Sequence, residues 1–258
     1  LNSEGFTQIE LKPVLTNISN IKQLKELFSE EKINLVFHSA AYKHVPLVEF
    51  NPIQGISNNF KSTKFICEVA EKFNLEQVLL ISSDKAVRPK NVMGASKRLS
   101  ELIMQDYAFK IEKSKNKKTK FSMVRFGNVL GSSGSVVPLF IKQIREGGPI
   151  TITDPEMTRY FMTIKEASEL VIQASSLSKG GDVFLLDMGE PIKIFELAKK
   201  MIQLSGAEIK NMENPNGEIE IIFTGKRPGE KIYEELLIDA KAEGTSHPLI
   251  LRAKEKLI

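Results

Sequence analysis

Apolar and polar positions follow two different rhythms along the first half of the chain. Short apolar runs bounded by polar residues predict strands at 34–39, 78–82 and 121–126. Between them, apolar residues recur every three or four positions and predict helices at 21–30, 59–74 and within 91–111. Strands that alternate with helices at such spacings indicate βαβ units, so an α/β fold with a doubly wound parallel sheet is predicted.

The pattern changes after residue 131, where glycine and proline become frequent. Short apolar stretches follow at 150–153, 183–188 and 219–223, with amphipathic helical segments at 164–176 and 194–204. This texture is typical of a smaller, mixed α/β domain that closes over a ligand. The predicted division is 1–130 for the larger domain, with about 150–188 returning to it, and 131–258 mainly for the smaller domain.

Composition is that of an ordinary globular protein, since 41% of the 258 residues are hydrophobic and 26% are charged. The net charge of +4 comes partly from a lysine-rich stretch at 110–120, which is typical of a solvated loop. That stretch has no aromatic residue on which bases could stack, so no nucleic-acid partner is predicted. Cys67 is the single cysteine and falls in an apolar helical pattern, which favours buried packing over chemistry.

Candidate chemistry gathers directly after the apolar run 77–81. Hydroxyl, carboxyl and amine side chains follow one another at 82–85, the sequence SSDK. Open α/β sheets bind their ligands at the carboxyl ends of strands, where this group should lie. Met93 and Lys97 are four residues apart, so on a helix they share one face. These residues predict a site for acid and base chemistry, and nothing in the sequence indicates a metal site.

Several motifs along the chain resemble those of one enzyme family. They are FHSAAYKHVPLVE at 37–49, SSDKAVRP at 82–89, NVMGASKR at 91–98, RFGNVLGSSGSVVPLF at 125–140, DPEMTRYFMT at 154–163, LLDMGEP at 185–191 and GKRPGEK at 225–231. In this order they resemble the extended short-chain dehydrogenase/reductase superfamily and, within it, the CapD-like nucleotide-sugar 4,6-dehydratases of bacterial polysaccharide biosynthesis. The resemblance implies a Rossmann-like sheet for NAD and a smaller domain for the nucleotide sugar.

The resemblance also implies a reaction and assigns roles. NAD+ takes hydride from C4 of a UDP-linked N-acetylhexosamine, a base removes the C5 proton, an acid helps the C6 hydroxyl leave as water, and hydride returns to C6. By motif position Asp84 is the acid and Lys85 the base, while Ser83 hydrogen-bonds near the C4 oxygen. Lys97 is expected to bind the nicotinamide ribose and to lower nearby proton affinity.

Met93 departs from the usual pattern, because most superfamily members carry a tyrosine there that deprotonates the C4 hydroxyl. A thioether cannot exchange a catalytic proton. Some long dehydratases of the group share this methionine. Our hypothesis is that Lys97, or a water held by Ser83 and Lys97, accepts the proton. The alternative is that Met93 only packs against the sugar or the nicotinamide in an inactive enzyme.

The resemblance extends to residues that bind the two ligands. Expected cofactor contacts are Asn17, Ala40, Ala41, Lys43, Asn59, Ser82 and Lys97. Expected substrate contacts are His44, Asn128, Val137, Pro138, Phe140, Arg159, Arg227 and Glu230. Three alternatives remain open: Asn59 could cap a helix, His44 could be a structural loop residue, and the arginines could form surface ion pairs.

A glycine-rich loop that would seat the pyrophosphate of NAD does not occur before residue 40. By analogy with the usual βαβαβ half, roughly 50 residues with two strands are expected to be missing, which would leave two unpaired sheet edges. The chain is therefore expected to be part of a longer protein and to bind NAD poorly as it stands. Long members of the group carry transmembrane helices, so an inner-membrane anchor, a cytoplasmic catalytic part and homo-oligomers are expected.

Three functions follow from these observations. The leading prediction is a UDP-N-acetylglucosamine 4,6-dehydratase that retains configuration at C5. The nearest alternative is an inverting dehydratase that also epimerises C5. An alternative of another class is a non-catalytic nucleotide-sugar-binding module or inactive fragment, which Met93 and the missing glycine loop would favour.

Overall fold

The computed structural model describes residues 10–114, 118–238 and 241–255. The helices are α1 Ile21–Glu30, α2 Val45–Phe50, α3 Pro52–Phe73, α4 Val92–Glu112, α5 Val136–Arg145, α6 Ile164–Ser176 and α7 Ile194–Leu204. The strands are β1 Leu35–His38, β2 Gln77–Ile81, β3 Lys120–Arg125, β4 Asn128–Val129, β5 Ile150–Ile152, β6 Thr158–Arg159, β7 Phe161–Met162, β8 Val183–Leu186, β9 Ile192–Lys193, β10 Ile209–Lys210, β11 Ile219–Phe223, β12 Ala242–Gly244 and β13 Ile250–Ala253. Part of the lysine-rich stretch, residues 115–117, lies outside the described residues.

The larger sheet has the strand order β1-β2-β3-β8-β13-β12. Its first four strands are parallel, whereas β13 and β12 are antiparallel to their neighbours. Helices cover both faces of this sheet. Alternate residues of β2 point to opposite faces, so their contacts show which helices lie on each side. Val78 and Leu80 pack with α1, α3 and α4, whereas Leu79 packs with α6. The predicted Rossmann-like α/β architecture is therefore confirmed.

Side-chain caps explain why several helices begin where the sequence pattern predicted. Asn20 accepts hydrogen bonds from the backbone of Lys22 and Gln23 at the start of α1. Asn91 accepts one from Gly94 at the start of α4, and Thr163 forms a capping box with Glu166 on α6. Each cap satisfies backbone donors that have no partner within the first turn.

Three helices differ from the sequence prediction, and each has a proline in its first turn. Helix α2 was not predicted, and its Pro46 lies at the start. Helix α3 begins at Pro52, well before the predicted start at 59, because proline suits the first helical position. Helix α5 falls in a stretch interpreted as a proline- and glycine-rich connection. Its Pro138 lies in the first turn, where a missing backbone donor costs nothing.

The smaller unit is built on the parallel sheet β10-β11-β5. Helices α5 and α7 pack on it around Phe140, Ile150, Ile194 and Ile202. The structure corrects the expectation for Phe140, which is fully buried in this core instead of lining a uracil site. Its position one turn into α5 turns the ring toward the sheet.

The predicted domain boundaries also need correction. Strand β5 belongs to the smaller sheet, so only α6 and β8 return to the larger unit from the 150–188 region. Strands β12 and β13 fall in the region assigned mainly to the smaller domain, yet they extend the larger sheet. The pairing of β13 with β8 decides this, because backbone hydrogen bonds fix the strand to that sheet.

The missing strands were expected to leave two unpaired edges within the larger sheet, and the structure differs from this. Within the described ranges the sheet continues without a break from β1 to β12. Strand β1 forms one edge, and Leu35 and Phe37 on it are about half exposed. In the part of the chain described here, no helix combines the length and the apolar character that membrane crossing requires.

A buried ion network ties three parts of the larger unit together. Arg125 on β3 is fully buried and donates to both carboxylate oxygens of Glu101 on α4, each at 2.7 Å. The same guanidinium donates to both oxygens of Glu255, with Nη2 to Oε2 at 2.9 Å. Burial alone would lower the pKa of Arg125, but the hydrogen-bonded carboxylates outweigh it and the net shift is upward. Arg98 contacts both carboxylates as well.

We predict that Arg125→Met lowers the free energy of unfolding by about 3–5 kcal/mol, because two buried carboxylates lose their shared partner. Urea unfolding followed by circular dichroism measures this loss. Arg145→Met, at an exposed position of α5, is the matched control and should change stability by less than about 0.5 kcal/mol. Equal effects of the two substitutions would contradict the prediction.

Candidate active site

The predicted site residues meet at the carboxyl end of β2. They line a cavity of about 400 Å³ between the β1 exit loop, the start of α4 and the loop after β3. The predicted residues that line it are Ala41, Lys43, His44, Ser82, Ser83, Lys85, Met93, Lys97 and Asn128. Parallel strands bring their carboxyl ends to one edge of the sheet, which is why residues distant in sequence converge here.

Local backbone bonds shape the turn that carries the acid and the amine. The backbone of Ser82 still pairs with β3, through the Val124 carbonyl at 2.8 Å. A single 3₁₀ turn, Asp84–Ala86, follows, and the Ser83 hydroxyl accepts from the Lys85 backbone at its start. The strand is therefore followed by a tight turn that brings Ser82, Ser83 and Lys85 to the cavity, while Asp84 is fully buried beside them.

Asp84 and Lys85 form a buried ion pair. Asp84 is fully buried, and its Oδ1 accepts from Lys85 Nζ at 3.0 Å and from Ser83 Oγ at 2.8 Å. Its Oδ2 is buried without a hydrogen-bond partner in the described structure. Lys85 Nζ also reaches the side-chain oxygen of Asn128 at 3.3 Å. A carboxyl group with one unsatisfied oxygen beside an amine is suited to proton transfer.

Glu234 is a member of this cluster that sequence reasoning missed. Its Oε1 lies 3.6 Å from Lys85 Nζ, and its side chain is almost fully buried. Burial raises the pKa of Glu234; Lys85 opposes this shift, Asp84 adds to it, and Arg159 and Lys231 oppose it. The quoted GKRPGEK motif ends three residues earlier, and the nearby acidic pair 234–235 was the only available signal.

Lys97 is a second buried amine at the site. Its Nζ donates to the Ile81 carbonyl at 2.9 Å. Burial lowers the pKa of Lys97 to about 8, against the opposing charge of Glu101. Met93 lies one helical turn earlier, lines the same cavity and is buried. Lys97 can therefore lose its proton near neutral pH, while the thioether beside it provides only apolar contact.

A second, larger cavity lies beside the first and suits the adenosine half of a dinucleotide. It has a volume of about 690 Å³, and Asn17, Ala40 and Ala41 line it. Ala41 lines both cavities, so they are neighbours. Asn17 offers a polar side chain, while the two alanines leave room for a ring. These residues therefore fit the adenosine part of the NAD group that the resemblance implies, whereas a glycine-rich loop for its pyrophosphate does not occur before residue 40.

Asn59 holds the loop between the two cavities. It lies inside α3, so the helix-capping alternative is wrong. Its Oδ1 accepts from the Tyr42 backbone N–H at 2.7 Å, and its Nδ2 donates to the Tyr42 carbonyl at 3.1 Å and to Ser96 Oγ at 2.8 Å. Asn59 thus orients the backbone after β1 and joins it to α4.

His44 lines the cavity and also packs against a loop, so its contact with a substrate stays a prediction. Its ring lines the cavity of about 400 Å³. The ring also packs against Gly134, where an added Cβ would lie 2.2 Å from the imidazole Cε1. Gly134 has a φ of +68°, so glycine is required there for two reasons, the backbone conformation and the close contact.

Two predicted ligand-binding residues are engaged within the protein. Arg159 is buried and donates to the carbonyls of Thr158, Lys231 and Ile232, at 2.7, 2.8 and 3.0 Å. Its guanidinium therefore holds a chain segment where a diphosphate was expected. Ser82 Oγ donates to Glu101 at 2.6 Å, so this hydroxyl is joined to the buried ion network.

The remaining predicted substrate residues lie outside the two cavities. Val137 and Pro138 are half-buried in the first turn of α5, where Val136 lines the smaller cavity. Arg227 is exposed, and its backbone N–H donates to Glu230 Oε2 at 3.1 Å. The Glu230 backbone donates back to the Arg227 carbonyl at 3.1 Å, so these two residues close a turn. Their contacts with a substrate stay a prediction.

The fold and the site together define a Rossmann-like protein of the short-chain dehydrogenase/reductase type. The model of the family described as "Polysaccharide biosynthesis protein" matches residues 2–255, and the chain belongs to this family. It is 52% identical over 230 residues to the capsular polysaccharide biosynthesis protein CapD of Staphylococcus aureus, covering 89% of this chain and 36% of CapD. It is 37% identical over 228 residues to the UDP-glucose 4-epimerase of Rickettsia rickettsii, covering 88% of this chain and 62% of that protein.

Solved structures support the same architecture. The structure of Pen from Bacillus thuringiensis has a TM-score of 0.83 and 34% identity, and the match covers 95% of this chain and 73% of Pen. The dTDP-glucose 4,6-dehydratase DesIV of Streptomyces venezuelae, a double mutant with NAD and DAU bound, has a TM-score of 0.70 and 16% identity, with 86% and 69% covered. At that identity the likeness to DesIV shows the fold alone.

His38 offers a direct probe of the buried charge at Lys97. Burial, followed by the Lys97 charge, lowers the pKa of His38 to about 4, and the ring contacts Thr63 Oγ1 at 3.2 Å. We predict that Lys97→Met raises the pKa of His38 while leaving it below 6.5, because burial persists. NMR titration of the imidazole measures this shift. Lys64→Met, at an exposed lysine of α3, is the control and should leave the titration unchanged.

Proposed function

We propose that this protein is an NAD-dependent 4,6-dehydratase that acts on a UDP-linked N-acetylhexosamine, UDP-N-acetylglucosamine in the first place, and retains configuration at C5. One observation carries the proposal: the fully buried carboxyl of Asp84 is paired with the amine of Lys85 at the carboxyl end of β2, beside the cavity. Oxidation and reduction at C4 need one proton acceptor. Removal of water across C5 and C6 needs an acid and a base together.

Asp84 and Lys85 can supply the required acid and base through a single proton transfer between them. In a dry site, separated charges are costly, so transfer of one proton from Lys85 Nζ to Asp84 yields a neutral amine and a neutral acid. The amine can then take the C5 proton while the acid protonates the departing C6 hydroxyl. The C5–H and C6–O bonds break, a C5–C6 double bond forms, and water leaves. Ser83 Oγ donates to Asp84 Oδ1 and so steadies the acid.

The chain's other buried residues serve the step at C4. Bound NAD+ supplies the acceptor for hydride from C4 and its return to C6. Lys97, whose pKa burial lowers to about 8, accepts the C4 hydroxyl proton directly or through a water shared with Ser83. Met93 packs beside it and excludes bulk water. Asn17, Ala40, Ala41 and Asn59 support the cofactor side of the site.

Substrate recognition and cellular setting complete the proposal. Asn128 lies at the cavity beside Lys85, where its amide can meet the sugar or its phosphates. Val137, Pro138, Arg227 and Glu230 extend from the smaller unit as candidate nucleotide contacts. The family, polysaccharide biosynthesis, supports a role in making an activated sugar for a bacterial surface glycan. A cytoplasmic catalytic part, membrane anchoring and homo-oligomers belong to the proposal for the whole protein.

A second candidate is 4-epimerisation, because one relative at 37% identity is named a UDP-glucose 4-epimerase. An epimerase exchanges hydride at C4 alone and has no use for an acid and a base aimed at C5 and C6. The Asp84–Lys85 pair therefore favours dehydration. The two reactions give different products from one substrate, which makes them easy to separate.

We predict that the protein with NAD+ converts UDP-N-acetylglucosamine in D₂O into a 4-keto-6-deoxy sugar that carries one deuteron at C5, as observed by NMR. Asp84→Asn and Lys85→Met should each lower this rate by at least about 10²-fold, because acid and base contribute that much. Lys165→Met, at an exposed position of α6, is the control. A C4 epimer without deuterium at C5 would contradict dehydration, and inverted C5 would indicate the inverting enzyme.

We predict that Lys97→Ala abolishes turnover whereas Met93→Tyr is tolerated, because the amine carries the proton from C4 and the thioether does not. In the wild type, kcat should rise about tenfold per pH unit below pH 8 and level off above it, as a base with a pKa of about 8 requires. Full activity in Lys97→Ala would contradict this assignment.

A further inference from the structure

Glu234 reaches the active-site cluster from a segment that follows the last strand of the smaller unit, β11. The segment 231–234 connects the Arg227–Glu230 turn to the C-terminal strands. Glu234 Oε1 lies 3.6 Å from Lys85 Nζ. Its Oε2 is buried without a hydrogen-bond partner in the described ranges, and lies 3.9 Å from Lys231 Nζ. A carboxylate so buried and so incompletely satisfied is costly to fold, which points to a role beyond packing.

The segment is fastened at several points around Glu234. Arg159 holds the carbonyls of Lys231 and Ile232, at 2.8 and 3.0 Å. The Thr158 backbone donates to the same Ile232 carbonyl at 3.1 Å. Lys231 Nζ donates to the carbonyl of Val87, which follows the catalytic turn, at 2.7 Å. These bonds fix the Glu234 backbone relative to Lys85, so the distance between their side chains is built into the fold.

We infer that Glu234 is a positioning residue for the Lys85 base, holding its amine between Asp84 and Asn128. This inference rests on the proposed function. Lys85 Nζ lies within 3.6 Å of three oxygens, on Asp84, Asn128 and Glu234. Two of these come from the larger unit's turn and loop, and the third comes from the fastened segment. The amine is thereby held by contacts from separate parts of the chain, as a base that attacks one carbon atom requires.

The charges that face Glu234 define what its removal should do. Asp84 and Lys85 face it from the catalytic turn, Arg159 from β6, and Lys231 from its own segment. A negative Glu234 favours the ammonium form of Lys85, so its neutralisation makes the amine easier to deprotonate. Its neutralisation also removes one of the three oxygens that orient the amine. The first effect is read from the chemical reactivity of Lys85 and the second from kcat, so the two can be measured separately.

The first test is the pH dependence of turnover in Glu234→Gln, which is isosteric and uncharged. We expect kcat at the optimum to fall about tenfold or more, with KM for UDP-N-acetylglucosamine changed less than about threefold. The acidic limb of kcat, which Lys97 sets, should stay near that of the wild type. Glu234→Asp keeps the charge but shortens the reach, so its kcat should also fall. Unchanged kcat in Glu234→Gln would overturn the inference.

The matched control is Glu235→Gln, the same substitution one residue later. Glu235 is exposed and pairs with Arg88 at 3.0 Å, away from the Lys85 amine. We expect its kcat and its pH profile to equal those of the wild type. A comparable loss in both variants would mean that the segment is merely sensitive to substitution, which would also overturn the inference.

The second test does not depend on the reaction. Lys85 is about one-fifth exposed, so acetic anhydride can reach it, and mass spectrometry can follow its acetylation against pH, with exposed Lys165 as internal reference. In Glu234→Gln, Lys85 should become reactive at lower pH than in the wild type, whereas Glu235→Gln should have no effect. Superimposed profiles for Glu234→Gln and wild type would refute the inference. If the acetylation profile shifts but the protein makes no keto sugar, the dehydratase proposal would be contradicted while the contact between Glu234 and Lys85 would be supported.

Discussion

The structure depends on the buried guanidinium of Arg125, which sits between Glu101 and Glu255. It connects β3 with α4 and with the chain end beyond β13. Glu101 also accepts from Ser82, the residue that follows β2 and lies shortly before the turn Asp84–Ala86. One charged group thus sets how strand, helix and turn lie relative to each other. Desolvating these charges is costly, and the bidentate geometry and additional hydrogen bonds offset that cost.

The same helix transmits this order to the site. Helix α4 carries Glu101 and Arg98 in the network and, one turn earlier, Lys97 in the cavity. Glu101 acts on Lys97 through charge, since it opposes the fall in pKa that burial causes. The structural network and the proton chemistry are therefore electrostatically linked, and a change in one would alter the other.

Sequence pattern predicted the parts of the fold that local physics determines. Helices α1, α6 and α7 begin and end at the predicted residues, because an apolar stripe and, for α1 and α6, side-chain caps specify them. The sheet to which a strand belongs is a nonlocal property, and β5 and β13 were therefore assigned to the wrong units. Helix α5 was missed because proline in a first turn is indistinguishable by pattern from proline in a loop.

The candidate site shows the same division between local and nonlocal information. The stretch SSDK was identified because its residues are consecutive and follow a strand, so their chemistry can be recognised from one segment. Arg159 looked like a phosphate ligand because arginine binds phosphate well, yet tertiary structure surrounds it with carbonyls. Phe140 was expected to line the substrate site, but its position on α5 directs its ring into the core of the smaller unit. Residue type states what a side chain can do, and only its surroundings decide which use it has.

Two carboxylates at the site each have one buried oxygen without a hydrogen bond, Asp84 Oδ2 and Glu234 Oε2. The buried guanidinium of Arg125, by contrast, is paired with both oxygens of Glu101 and of Glu255. Proteins tolerate such local conflicts mainly where function needs them. We expect a sugar hydroxyl bound at the site to donate to the unpaired oxygen of Asp84 and so to offset the cost of burying that oxygen. This gain would favour the complex in which the acid is directed at its substrate.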